Sequence, residues 1–305
     1  MDEKQRQYLM EIAGEVLEYD CPMARYTTFG VGGKAEVFCA VETVERLQAV
    51  MTFLYREAIP YLVIGRGSNL LVKDGGIEGV VLTLKGSLAT IEKGLEGGSI
   101  VTGGGGLSIT ELLHYCGNEG LGGLEFLAGI PGTLGGAVAM NAGAWGQDVG
   151  ARVARVQLVM PHADVVTMTR EDMHFSYRRS STPQGAVIVS VKLSLVRVEP
   201  EEVTAKVAAC LKERQEKQPL KHPSAGSVFK NPPNGYAGAL IERTGLKGKR
   251  IGGAMISPKH ANWIVNMGGA QAKDILALMK LAQQKVKEQT GIVLDPEIKV
   301  VGKAS

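Results

Sequence analysis

Between Gly129 and Gly146 lie eighteen residues with six glycines and no charged side chain. That run constrains the fold more than any other feature of the chain. A solvated linker would carry Ser, Lys or Glu. A glycine-rich stretch that is also apolar suits backbone held close to another surface. That surface is either a flat ligand bearing phosphates or a second piece of chain packing glycine against glycine. Glycine is abundant elsewhere too, at 40 of 305 residues, nearly twice the about 7% of ordinary proteins. The glycines follow no three-residue period, which excludes a collagen-like chain.

The remaining composition narrows the class. Apolar residues make up 45% and charged residues 21%, as in globular chains rather than disordered ones. At roughly 100–200 residues per domain, the length predicts two or three domains. The 34 basic and 31 acidic residues leave a net charge of +3, too balanced for a dedicated nucleic-acid binder. No apolar run approaches the ~18 residues of a membrane span, so no membrane association is expected. The first residues, MDEKQRQ, are polar and unlike a secretory signal. Cys21, Cys39, Cys116 and Cys210 form no CxxC pair, which suits thiols in a reducing cytoplasm. With the histidines scattered as well, no metal site is expected.

The hydrophobic pattern predicts an amphipathic helix over 4–19, with Leu9, Ile12, Ala13, Val16 and Leu17 on one stripe. A turn and strand follow over 27–41, then a helix over 43–57 with Thr43 as its N-cap, an apolar strand running into a glycine turn over 61–72, and a strand at 79–84. From 86 to about 200, β-like runs (TIEKGL, SIVTGGG, RVARVQLVM, DVVTMTR, AVIVSVKLSLV) surround one helix at 108–118, a mostly antiparallel α+β pattern. Beyond that come a helix to about 216 and a loop from Pro219 to Pro233. A helix near 237–244, a strand at 262–266, a helix at 271–289 stopped by Gly291 and a last strand complete the pattern.

Several short motifs could carry chemistry. Gly65, Arg66, Gly67, Ser68, Asn69 and Leu70 follow an apolar strand. Two glycines there let backbone N–H groups approach a phosphate, or else make a tight turn. Leu70 stands where the dinucleotide fingerprint needs a third glycine, so that motif is not supported. Gly248-Lys249-Arg250 lacks the Ser or Thr of a P-loop, and no Gly-x-Ser-x-Gly elbow occurs. Two prolines and a glycine surround Ser227, which either donates a proton or caps a turn. Phe175-Ser176-Tyr177-Arg178-Arg179 sets guanidinium groups beside a tyrosine, as carboxylate ligands or surface ion pairs. Glu297 follows Pro296 at the start of a strand, where it could act as an acid or hold a polar network.

Together these stretches resemble the UDP-N-acetylenolpyruvoylglucosamine reductase family. The matching motifs are TTFGVGGKAE (27–36), GRGSNLLV (65–72), FLAGIPGTLGGAVAMNAGAWG (126–146), FSYR (175–178), SAGSVFKNP (224–232), KGKRIGGAMIS (247–257) and LDPEIKVVG (294–302). They keep the family's order and span nearly the whole chain. The resemblance implies an α+β fold of two FAD-binding subdomains, of the vanillyl-alcohol-oxidase-like (PCMH) type, plus a C-terminal α+β substrate-binding domain. The expected division is 1–85, 86–200 and 201–305, with the last strand returning to the FAD region. It also implies noncovalent FAD, reduced by NADPH, and reduction of UDP-N-acetylglucosamine enolpyruvate to UDP-N-acetylmuramate by a cytoplasmic monomer.

Carried over residue by residue, Ser227 matches the family's proton donor, Arg178 its carboxylate-binding arginine and Glu297 its catalytic glutamate. Gly65 to Leu70, with Gly132, Thr133, Gly136, Ala137, Asn141 and Gly143, fall on the flavin-binding motifs. Tyr177, Asn231, Lys247 and His260 fall where the family contacts substrate, His260 replacing the glutamine of some members. The segment from Ser227 to Glu297 lacks the insertion that carries a tyrosine-bearing lid in some members, which places the chain with a shorter subclass. Two other readings share these motifs: an oxygen-using flavin oxidase on the same scaffold, and a flavin-free sugar-nucleotide-binding protein. The motifs around Ser227 and Glu297 oppose the first, and the intact glycine stretches oppose the second.

Overall fold

The computed structural model describes residues 1–14, 17–92, 98–233 and 235–304. It is α+β, and the chain forms two compact units. One comprises Met1–Tyr19, Val37–Gly65 and Gly79–Lys212; the other comprises Asp20–Glu36, Arg66–Glu78 and Glu213–Ser305.

In the first unit, Leu17–Pro22, Lys34–Val41, Ile77–Leu84 and Tyr61–Val63 line up in that order as a four-stranded sheet. Helix Val44–Arg56 packs Leu47, Val50, Met51 and Leu54 into the same apolar cluster as Val37, Cys39, Val80 and Leu82 of the sheet. Thr43 caps this helix as expected, accepting from the Arg46 N–H at 3.3 Å. A second, five-stranded sheet runs Val165–Thr169, Val153–Val159, Val187–Ser194, Ile100–Gly104, Ile91–Glu92, and every pairing in it is antiparallel. Helix Ile109–Glu119 starts with a Ser108/Glu111 capping box and ends at Gly120 in the left-handed region, and it covers this sheet with Leu112, Leu113 and Cys116.

The second unit is built around helix Ala272–Thr290, which ends at Gly291 with φ +73°. Its Ile275, Leu278, Met279, Ala282 and Val286 share one core with Phe29, Leu71, Phe229, Ile256, Ile264 and Ile298. Asp74 caps the helix from a distant loop, accepting from the Ala272 and Lys273 N–H groups at 2.8 and 2.9 Å. Strand Leu70–Val72 pairs in parallel with Lys299–Val301. Arg250–Ile251, Ala254–Ile256 and Ile264–Asn266 make a small antiparallel sheet.

Two sequence expectations change. The first helix covers Glu3–Ala13 only: Gly14 takes φ +82° and ends it, and Leu17 begins a strand. Val16 and residues 93–95 of the TIEKGL run lie outside the described residues. Within the glycine-rich stretch, Leu134–Ala139 is a short helix that the sequence pattern does not predict. Among the described residues, no helix is long and apolar enough to cross a membrane.

Candidate active site

In the first unit the glycine-rich stretch and the FSYR motif are one structure. Thr133 caps helix Leu134–Ala139, accepting from the Gly136 N–H at 3.3 Å. The capping residue also lies against Gly65, where a Cβ would come within 2.5 Å of its hydroxyl. Beyond the helix, Asn141 is 1% exposed and both ends of its carboxamide are used: it accepts from the Gly150 N–H and donates to the Ser176 carbonyl, both at 2.9 Å. Ser180 adds a bond to the Ala139 carbonyl at 3.0 Å. The turn that these bonds hold is closed by reciprocal Ser176–Arg179 backbone bonds of 3.0 Å, with Tyr177 and Arg178 at its tip. The Arg178 guanidinium lies 5.0 Å from the centre of the exposed Tyr177 ring.

Among the described residues, three of the seven non-glycine residues with positive φ lie in these two segments, Asn141, Trp145 and Arg178, and a fourth, His174, immediately precedes the FSYR motif. Each costs about 1–2 kcal/mol, and such residues cluster where function fixes the backbone. The glycines divide by role. At Gly143 a Cβ would stand 2.2 Å from the Gln147 carbonyl, and at Gly135 it would stand 2.9 Å from the Gly105 carbonyl, so these two allow chain to meet chain. Gly136 is exposed, and a Cβ there would meet only the Thr133 hydroxyl at 3.3 Å. Gly132 and Ala137 flank the same helix start, where the Gly132 carbonyl accepts from the Ile109 N–H and the Ala137 N–H bonds the Thr133 carbonyl.

In the second unit three of the predicted residues meet through backbone. The Glu297 N–H donates to the Val228 carbonyl at 2.8 Å, and Phe229 forms an antiparallel bridge with Pro296. Ser227 therefore begins a segment bridged to the extended chain around Glu297, which lies just ahead of the last strand, Lys299–Val301, and not at its start as the sequence suggests. On its other side, the Glu297 carbonyl accepts from the Asn69 carboxamide at 3.1 Å, and the Asn69 carbonyl accepts from the Lys299 N–H at 2.9 Å. The glycine turn before Asn69 is close-packed: a Cβ at Gly67, φ +60°, would stand 2.1 Å from the Tyr26 carbonyl. Arg66 is exposed beside it, Ser68 is half-buried and Leu70 is buried.

Asn231, Lys247 and His260 gather around one helix, Ala237–Arg243. Asn231 accepts from the Ala237 N–H at 3.0 Å, and Lys247 pairs with Glu242 at 2.6 Å. The His260 ring lies 3.1 Å from where a Gly238 Cβ would stand. Its Nδ1 accepts from the Asn262 N–H at 3.2 Å, which fixes the neutral tautomer with the proton on Nε2. Burial, and then the Lys247 charge, hold its pKa below the ordinary 6.5.

Two residues escape the sequence reading. Asn262, 3% exposed, holds the segment just after Ser227. Thr28 donates its N–H to the Gly67 carbonyl at 3.3 Å, while its hydroxyl oxygen is buried without a hydrogen-bond partner among the described residues. A buried hydroxyl of that kind beside a glycine turn is a place for a ligand's polar atom. Thr28 stands inside the TTFGVGGKAE motif, whereas nothing in the sequence distinguishes Asn262. Among the described residues no group of three or more His, Cys, Asp or Glu could hold a metal ion.

Residues 218–301 match the C-terminal domain of UDP-N-acetylenolpyruvoylglucosamine reductase, and residues 35–169 match an FAD binding domain. A UDP-N-acetylenolpyruvoylglucosamine reductase of Syntrophus aciditrophicus is 41% identical over 292 residues, 95% of this chain and 93% of its own length. The chain belongs to the UDP-N-acetylenolpyruvoylglucosamine reductase family. A member from Geobacter metallireducens is 42% identical and covers 99% of both chains. The crystal structure of a member from Thermus caldophilus superposes with a TM-score of 0.81 at 38% identity, covering 94% of this chain and 99% of that one. The α+β fold of an FAD-binding part joined to the family's C-terminal domain is the one that the motifs predict. Each unit by itself has a feature that fits FAD: in the first, Gly136 leaves a backbone face open, and in the second, the Thr28 hydroxyl beside Gly67 has no partner among the described residues.

Proposed function

We propose that the chain performs its family's reaction, and that the residues on the family's motifs carry it. The enzyme is an FAD-dependent oxidoreductase that reduces UDP-N-acetylglucosamine enolpyruvate to UDP-N-acetylmuramate with NADPH, a step of peptidoglycan precursor synthesis on which cell shape and division depend. Gly65 to Leu70, Gly132, Thr133, Gly136 and Ala137 hold the noncovalent cofactor, with Thr28 supplying a hydroxyl. Asn141 and Gly143 keep the neighbouring backbone in shape. When bound, FAD supplies the two-electron chemistry that carries hydride from NADPH to the CH2 carbon of the enolpyruvyl group.

The chain's own residues handle charge and proton. Hydride addition pushes an electron pair toward the substrate carboxylate. Arg178, presented at the tip of its turn, binds that carboxylate. Glu297, protonated, donates a hydrogen bond to the same developing enolate. The Ser227 hydroxyl then protonates the adjacent carbon. Serine is a very weak acid, so its neighbours must stabilise the alkoxide left behind. Tyr177, Asn231, Lys247 and His260 line the substrate. The observation that carries this reading is the position of Glu297, bonded through its amide to the segment of Ser227 and through its carbonyl to Asn69.

We further read the chain as three functional parts, 1–85 and 86–200 for FAD and 201–305 for substrate with the last strand returning to the FAD region. The enzyme works as a cytoplasmic monomer without nucleic-acid or membrane partners. Four unbridged cysteines support the reducing compartment, and burial pushes the thiols of Cys39 and Cys116 up to about 12.

Anaerobic spectroscopy tests the assignment. The purified protein is yellow, NADPH bleaches it, and the enolpyruvyl substrate restores the absorbance. Bleaching that oxygen reverses but the substrate does not would point to an oxidase and end this reading. Ser227→Ala retains reduction by NADPH and loses on the order of 10²-fold or more in reoxidation. Equal loss in both halves would remove Ser227 from its role.

A further inference from the structure

Ser227 has no regular strand ahead of it: Gly226, with φ +74°, turns the chain just before it. Its position is set by the residues on its C-terminal side. The Val228 carbonyl takes the Glu297 N–H, and the Lys230 N–H reaches the Asp295 carbonyl at 2.8 Å, so one edge of the segment is tied to residues 295–297. The opposite edge is tied to a single residue. The Asn262 carbonyl accepts from the Val228 N–H at 2.9 Å. Its carboxamide then takes both polar groups of Phe229, accepting from the N–H at 3.0 Å and donating to the carbonyl at 2.8 Å. One side chain thus does what the backbone of a neighbouring strand would do.

We infer that Asn262 is the positioning residue for Ser227: its carboxamide clamps the Val228–Phe229 dipeptide against the segment of Glu297, and so fixes the hydroxyl relative to the carboxyl with which it shares the reaction. Only a carboxamide suits the place, because Phe229 offers one donor and one acceptor to it. A carboxylate of the same shape keeps the bond to the N–H and sets oxygen against oxygen at the carbonyl. An aliphatic side chain leaves both buried groups unpaired. The Asn262 amide is itself held by His260 Nδ1, which extends the clamp to the substrate cluster around helix Ala237–Arg243. The inference rests on Ser227 being the proton donor.

The test uses the flavin-loaded enzyme with Asn262→Leu, the near-isosteric Asn262→Asp in case the first fails to fold, and Ser227→Ala. Both Asn262 variants are expected to reduce with NADPH within about twofold of the parent rate, while reoxidation by the enolpyruvyl substrate slows about 10- to 100-fold with KM little changed. In the Ser227→Ala background the same substitutions are expected to cost nothing further, since a positioning residue has nothing left to position. Hydrogen–deuterium exchange of peptides covering 226–231, read without turnover, is expected to rise in the Asn262 variants and stay at the parent level in Ser227→Ala. Equal slowing of both half-reactions, or an undiminished cost in the Ser227→Ala background, overturns the inference. So do normal kinetics with raised exchange. If Ser227→Ala itself reoxidises normally, it is the proton-donor reading that fails, and the two failures are thereby told apart.

Discussion

At the residue scale, His260 carries a consequence for pH. Burial, with the Lys247 charge behind it, depresses its folded pKa below 6.5, so the folded ring is neutral near neutrality. Below 6.5 the unfolded chain binds a proton that the folded one still refuses, so the unfolded state holds more protons. Stability therefore falls as pH drops from the unfolded value toward the folded one. Melting temperatures at about pH 7.5 and about pH 5.5 should show a smaller drop for His260→Gln than for the parent. Equal drops would mean that the ring titrates freely. The sequence could place His260 only by family position. Its tautomer comes from the turn that brings the Asn262 N–H to its ring, and its depressed pKa from burial and the Lys247 charge, none of which the sequence shows. Ser227 and Glu297 were legible because each sits in a distinctive motif. Asn262 was not, because its meaning lies in two bonds to a residue 33 positions away.

At the scale of elements, helices Val44–Arg56, Ile109–Glu119 and Ala272–Thr290 stand close to where the sequence puts them, because period, boundary and stop signal agree in each. Helix Leu134–Ala139 was hidden because interior glycine costs about 0.5–1 kcal/mol relative to alanine and so argues against a helix. The Thr133 cap and the complete burial of Leu134 and Val138 offset that cost. The apolar stripe of the sequence runs on through Leu17, past the end of the first helix, although Gly14 has already turned the chain. The two kinds of glycine in the long glycine-rich stretch make contrasting predictions. Gly143→Ala forces a methyl against the Gln147 carbonyl and should cost about 1–3 kcal/mol of stability. Gly136→Ala should cost far less and yet weaken FAD binding, because its methyl would fill the open face. Thermal melts and FAD titration of both variants check this, and unimpaired FAD binding by Gly136→Ala would take that glycine off the cofactor face.

At the scale of the molecule, the α+β class is visible in the hydrophobic pattern. Such a pattern is read in chain order, however, and the compact units do not keep chain order. The second gathers Asp20–Glu36 and Arg66–Glu78 with Glu213–Ser305. No local period reports such a gathering, because the contacts that define it are closed late in folding and over long loops. The bond between Asn69 and the Glu297 carbonyl spans 228 positions, and Leu70–Val72 waits for Lys299–Val301 to form its parallel pair. On a ribosome adding about 5–20 residues per second, the glycine turn thus emerges roughly ten seconds or more before its partner strand. The turn finds its pairing only once residue 299 has emerged, so chains stalled short of that residue should be protease-sensitive around 66–78, and protection of that segment in such chains would show that it can settle alone.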